Sequence, residues 1–188
     1  MRALFVLPLW LLVLSHPVTA CYDRSGRSAQ KRFILKGDEA FDSKTSLTWK
    51  RCSLGGQWDG GRDCAGEKAF VSLDQALRLA KAEGDGWHVP SGPELESLID
   101  VSCGSPVVDT SVFPDIGADD EGTAKYWTTN KVGAANLIYY FDFMTGRADG
   151  HSRGFQLAVR LVRKEKRVDG CPTPRPASTR SNTPDTRA

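Results

Sequence analysis

Trp87-His88-Val89-Pro90-Ser91-Gly92-Pro93-Glu94-Leu95 is the stretch on which the fold turns. Ser91 followed by Glu94 forms a capping box: the serine hydroxyl accepts from the first turn, and the glutamate reaches back to the serine N–H. Pro93 suits a first turn, where its missing N–H leaves no partner wanting. Leu95, Leu98 and Ile99 then give a short helix one apolar stripe. A second box lies upstream at Ser72-Leu73-Asp74-Gln75, with Leu73, Ala76, Leu77 and Ala80 as its stripe and Gly84 as a stop.

On both sides of these helices the pattern becomes that of strands. Phe33-Ile34-Leu35-Lys36 and Leu47-Thr48-Trp49-Lys50 read as short strands, punctuated by turns at Gly37-Asp38 and Ser43-Lys44. A loop with Gly55-Gly56 and Gly60-Gly61 follows, holding Trp58 and ending at Cys64. Downstream, strands are expected at Tyr126-Trp127-Thr128 and from Leu137 to Phe143. A last one, from Phe155 to Arg163, would put Phe155, Leu157, Val159 and Leu161 on one face. Two helices followed by antiparallel strands predict a single α+β domain.

The chain has 188 residues, 40% of them apolar or aromatic and 26% charged, with 18 Gly, 10 Pro and 5 Cys. That supports one core and excludes both a wholly disordered chain and a collagen-like rod. The net charge of +2 gives no argument for nucleic-acid binding. Its distribution is uneven. Residues 21–32 carry a net +3, residues 33–162 carry 13 basic against 19 acidic residues, and residues 163–188 carry seven basic against three acidic. An acidic domain over 33–163 is thus expected between a basic linker, 21–32, and a disordered Pro/Ser/Thr-rich tail, 164–188.

Residues 1–20 have the form of a secretory signal peptide. Arg2 precedes an apolar run from Ala3 to Leu14, and small residues lead to Ala20. The run falls short of the roughly 20 residues that span a bilayer. The next residue is Cys21, and Val18-Thr19-Ala20-Cys21 resembles a bacterial lipobox, in which the cysteine is lipidated. Ordinary cleavage after Ala20 would instead leave Cys21 as a thiol or for a disulfide. Export is expected, to the periplasm, to a membrane through lipidated Cys21, or to the cell surface. With Cys21 set aside, Cys52, Cys64, Cys103 and Cys171 remain, an even number that an oxidising compartment favours pairing. Four cysteines allow three connectivities; the simplest is Cys52 with Cys64 and Cys103 with Cys171.

Several blocks resemble one family in order and register: Leu47-Thr48-Trp49-Lys50-Arg51-Cys52-Ser53-Leu54-Gly55 with Trp58-Asp59-Gly60, and Trp87-His88-Val89-Pro90 with Glu94-Leu95. Phe113-Pro114, Tyr126-Trp127-Thr128-Thr129 and Val159-Arg160-Leu161-Val162-Arg163 follow. This is the family of the C-terminal domain of the Legionella collagen-like adhesin. The resemblance implies a C-type-lectin-like fold, shared with the formylglycine-generating enzymes, with both chain ends in one sheet and two flanking helices. It says little about activity: members are mostly exported bacterial proteins of unknown function, and the namesake binds host surface polymers.

No catalytic constellation is legible. Gly150-His151-Ser152-Arg153-Gly154 matches a nucleophile elbow, yet no histidine follows Ser152 to complete the triad, so a turn between strands is expected. Asp115, Asp119, Asp120 and Glu121 crowd a loop and are a weak calcium candidate, better read as a solvated acidic loop. The main expectation is a non-catalytic, cofactor-free binding or scaffold module for a glycan or an envelope protein, with no nucleic-acid partner. Its ligand would lie near Trp58, Asp119, Asp120 and Trp127, with Trp58 exposed. An oxidative enzyme related to the formylglycine generators, needing a reactive Cys103, is the first alternative. A purely structural lipoprotein is the second.

Overall fold

The computed structural model describes Cys21, residues 32–133 and residues 136–165. The expected leader, most of the expected basic linker and all but Lys164 and Glu165 of the expected tail lie outside these residues, and Lys164 belongs to the last strand rather than to a disordered tail. The elements run β1 (Phe33–Lys36), β2 (Glu39–Asp42), β3 (Leu47–Lys50), β4 (Gln57–Trp58), β5 (Cys64–Ala65), α1 (Leu73–Glu83) and α2 (Gly92–Glu96). A 3-10 turn (Val101–Cys103), β6 (Lys125–Val132), β7 (Leu137–Asp142), β8 (Arg147–Ser152) and β9 (Val162–Lys164) complete the order. The architecture is α+β with antiparallel strand pairing. Three sheets form, β1-β2-β3-β9, β4-β5 and β6-β7-β8, so the first and last strands share a sheet. No helix among the described residues is long and apolar enough to cross a membrane.

Both capping boxes form as the sequence predicts, on Ser72 with Gln75 and on Ser91 with Glu94. Gly84 ends α1 at φ 71°, a conformation that costs glycine little. Leu73, Ala76 and Ala80 are buried, but Leu77 is 39% exposed, one step off the stripe. The segment between the first two predicted turns becomes β2. Its inward positions are Ala40 and Asp42, and a buried aspartate hides the apolar period.

Asp42 and Asp142 close two hairpins with the same device. In each, Oδ1 accepts from the backbone N–H two residues on and Oδ2 from a threonine hydroxyl, Thr45 or Thr145. The aspartate carbonyl then accepts from the N–H of Ser46 or Gly146, both in the left-handed region. Phe41-Asp42-x-x-Thr45 and Phe141-Asp142-x-x-Thr145 are thus two copies of one turn.

The predicted last strand is shorter than expected. Only Val162–Lys164 pairs continuously, and Phe155 sits in a bend, 41% exposed. Residues 157–162 run between two cores and are buried on both sides. Leu157, Val159 and Leu161 join a cluster with Leu73, Trp87, Trp127 and Ile138. Ala158 and Val162 join a second cluster with Trp49, Leu95, Phe113 and Tyr126. Arg160, between them, is fully buried.

Arg160 donates from its two terminal nitrogens to the carbonyls of Lys50 and Arg51, to Ser53 Oγ and to Asp115 Oδ1. Asp115 also accepts from the Ser53 N–H at 2.6 Å, and Ser53 Oγ lies 2.8 Å from the buried Tyr126 hydroxyl. Burial would raise the Asp115 pKa, but the Arg160 charge and the Ser53 N–H outweigh it and hold the carboxyl below its ordinary value.

Two outcomes are expected. Ser46→Gly should stabilise by up to about 1 kcal/mol in urea unfolding, because it removes a side chain from a left-handed position. The depressed Asp115 pKa contributes stability that is present above the unfolded value near 3.9 and lost as pH falls through the folded one. Asp115→Asn should therefore cost about 3–5 kcal/mol at neutral pH and flatten the acid limb of a stability–pH curve.

Candidate functional site

The site grows from the turn after β3. Gly55 takes φ +93°, and a Cβ there would stand 2.7 Å from the Ala69 nitrogen, so only glycine lets the loop fold back. The Leu54 N–H donates to Val159 O, and Leu54 O accepts from the Ala69 N–H, fixing the loop against the segment that carries Arg160. The Cys52–Cys64 disulfide forms as the sequence reading expected and clamps the β4–β5 ribbon to the end of β3. At the ribbon's tip Asp59 Oδ1 accepts from the N–H groups of Gly61 and Asp63, which lowers its pKa.

This arrangement leaves a cleft of about 580 Å³ whose walls include Asp38, Lys50, Gln57, Trp58, Glu83 and Leu161. Trp58 is half-buried, a correction to the expected exposed ring. The Arg51 guanidinium lies 3.5 Å from its ring centroid, while Arg51 itself donates to the carbonyls of Val112, Gly37 and Ser111. Lys50 Nζ bridges Asp38 at 2.8 Å and Glu83 at 3.1 Å, and lies 4.8 Å from the Trp87 ring. Partial burial would lower the Lys50 pKa; the two carboxylates overcome this and raise it. The cleft thus presents an anchored aromatic ring beside both signs of charge and an amide.

Other predicted site residues lie elsewhere. Trp127 is 0% exposed and donates from Nε1 to Val71 O at 2.8 Å, so it belongs to the core and cannot meet a ligand. Asp119 is turned into its own loop, accepting from the N–H groups of Glu121 and Thr123 and from the Thr123 hydroxyl, and Asp120 is exposed. Neither is part of the cleft wall among the described residues. The calcium candidate is dispersed as well. Asp115 is held by Arg160 and Ser53, and Glu121 pairs with Lys125. No group of three or more His, Cys, Asp or Glu comes together to hold a metal among the described residues.

The cysteine pairing needs one correction. Cys103 bonds to Cys21, with Cα atoms 4.5 Å apart, and not to Cys171, which lies outside the described residues. Setting Cys21 aside as a lipid site removed the true partner from the count. His151, in the elbow-like stretch, stacks on Phe155 at 3.6 Å, and Ser152 ends β8. Lys50, Arg51, Asp38 and Glu83 were not singled out from the sequence. Lys50 and Arg51 fall inside a resembling block, but nothing there signals that Glu83 closes the cleft from the end of α1.

The sequence model of the Lcl C-terminal domain matches residues 39–163, about two thirds of the chain. The chain belongs to that family. The match runs from the start of β2 into β9, so this Lcl C-terminal domain includes both capping boxes, Arg160 and the named cleft walls except Asp38, which immediately precedes it. Cys21 and β1 precede the matched span. A comparison with curated proteins finds no match.

Replacing Cys52 and Cys64 together by serine should lower stability by about 2–3 kcal/mol, since the bond closes a loop with a sequence separation of 12. Urea unfolding at equal protein concentration reads this directly. An unchanged midpoint would show that the clamp adds nothing.

Proposed function

We propose that this Lcl C-terminal domain is an exported, non-catalytic binding module whose ligand is a glycan seated in the cleft of Lys50, Gln57 and Trp58. The observation that carries this reading is the anchored Trp58 ring, stacked at 3.5 Å by Arg51 beside Lys50, Asp38 and Glu83. Sugar rings combine an apolar face with projecting hydroxyls. An aromatic wall next to fixed donors and acceptors suits both parts, and an immobilised ring loses little entropy on binding.

Two disulfides and a leader-like N-terminus support export, because such bonds persist in oxidising compartments. The Cys103 sulfur, which the oxidative-enzyme reading needs as a thiol, is bonded to Cys21, and this favours the non-catalytic reading. Assignment to a glycan rests on the chemistry of the cleft and not on the fold.

A glycan array probed with the disulfide-intact chain tests the assignment. Trp58→Ala and Gln57→Ala should each weaken binding to the recognised saccharides about tenfold or more, with unchanged thermal melts. Binding that is insensitive to both substitutions, or an array with no recognised saccharide, would overturn it.

A further inference from the structure

We propose that Cys21 matures as half of the Cys21–Cys103 cystine and is not acylated, so that the mature chain is released from its leader as a soluble protein. This concerns the maturation of the chain and stands independently of the glycan reading.

The first argument is valence. Lipidation of a cysteine at such a junction places a diacylglyceryl group on Sγ as a thioether. A sulfur bonded to Cβ and to a glyceryl carbon has no bond left for a disulfide, and the Cys21 Sγ is bonded to the Cys103 Sγ. The two fates exclude each other at one atom.

The second argument is space. Cys21 is only 6% exposed. A residue carrying two acyl chains into a bilayer must stand clear of its domain, and this one is packed against it.

The third argument is how the partner is held. Cys103 closes the 3-10 turn, whose start is capped by Asp100 through the Ser102 N–H, while the Asp100 carbonyl accepts from the Cys103 N–H. The Asp100 N–H donates to Val107 O, and the Val107 N–H to Phe143 O, so the turn is tied to β7's end by backbone bonds. The far end of the same N-terminal segment is fixed nearby in sequence: Arg32 pairs with Asp42 and donates to Ser97 O at 2.6 Å. Both ends of residues 21–32 are therefore held on the stretch from Ser97 to Cys103. A lipoprotein linker has the opposite task, to space the domain from the membrane.

The chemistry balances with ordinary envelope reagents. A peptidase hydrolyses the Ala20–Cys21 bond with water, leaving a free α-amine on Cys21. The two thiols then lose two protons and two electrons to the disulfide of a thiol–disulfide oxidoreductase, which is reduced to its dithiol.

The test is secretion of the full chain through its own leader in a bacterial host, followed by thiol blocking, detergent phase partition and a non-reducing protease digest read by mass spectrometry. The expected result is an aqueous-phase protein beginning at unmodified Cys21, and a peptide pair joined through Cys21 and Cys103 that separates on reduction. A diacylglyceryl mass on Cys21 with Cys103 blocked as a free thiol would overturn the proposal. So would a Cys103–Cys171 linkage, or a chain that keeps its leader.

Discussion

A guanidinium with no access to water is the constraint around which this domain is built. Arg160 sits on a strip of chain that feeds both hydrophobic clusters, and it joins parts distant in sequence: the end of β3, Ser53 and the loop at Asp115. Burying that charge is tolerable only if every surrounding acceptor is in place, so the strip, the loop after β3 and Asp115 must assemble together. Arg160 also lies 5.2 Å from the Phe113 ring and 5.9 Å from that of Tyr126, which lines its berth with π faces. Its Nε and Trp49 Nε1 find no acceptor and Asp109 Oδ2 finds no donor, so polar satisfaction here is good without being complete.

The cleft depends on this centre. Leu54 is held to Val159, one residue before Arg160, and Ser53 donates directly into the charged cluster. The loop that places Gln57 and Trp58 is thus fixed at its root by the core and at its far side by the Cys52–Cys64 bond. Lys50 and Arg51 lend their carbonyls to Arg160; the Lys50 side chain turns to the cleft, toward Asp38 and Glu83, while the buried Arg51 side chain backs the Trp58 ring. One short peptide serves both the interior and the candidate binding surface.

Much of the fold was readable because its signals are local. The capping boxes at Ser72 and Ser91, the glycine stop at Gly84, and the strands at Phe33, Leu47, Tyr126 and Leu137 each announce themselves within a few residues. The strand misreadings have a common cause, which is a polar residue at an interior position. Residues 157–162 alternate as a half-exposed strand would, yet their polar-looking position is the interior Arg160, and β2 is disguised by Asp42 in the same way. The repeated Phe-Asp-x-x-Thr turn was present in the sequence but gains meaning only when both aspartates are seen closing hairpins. The site was less legible than the fold. Trp58 stood out through its glycine-rich loop, whereas Glu83 reaches it through tertiary contact alone, and Trp127 looks the same in sequence whether a tryptophan faces a ligand or the core.

The four-stranded sheet aligns Phe33, Asp42, Leu47 and Lys164 in a single cross-strand row. The described domain therefore starts and finishes at the same level of one sheet, three strand spacings apart, or about 14 Å. A polypeptide that enters and leaves by neighbouring doors can be spliced into a host chain, or appended to a stalk at either end, with little distortion of either part. That geometry makes this kind of domain portable between differently built proteins.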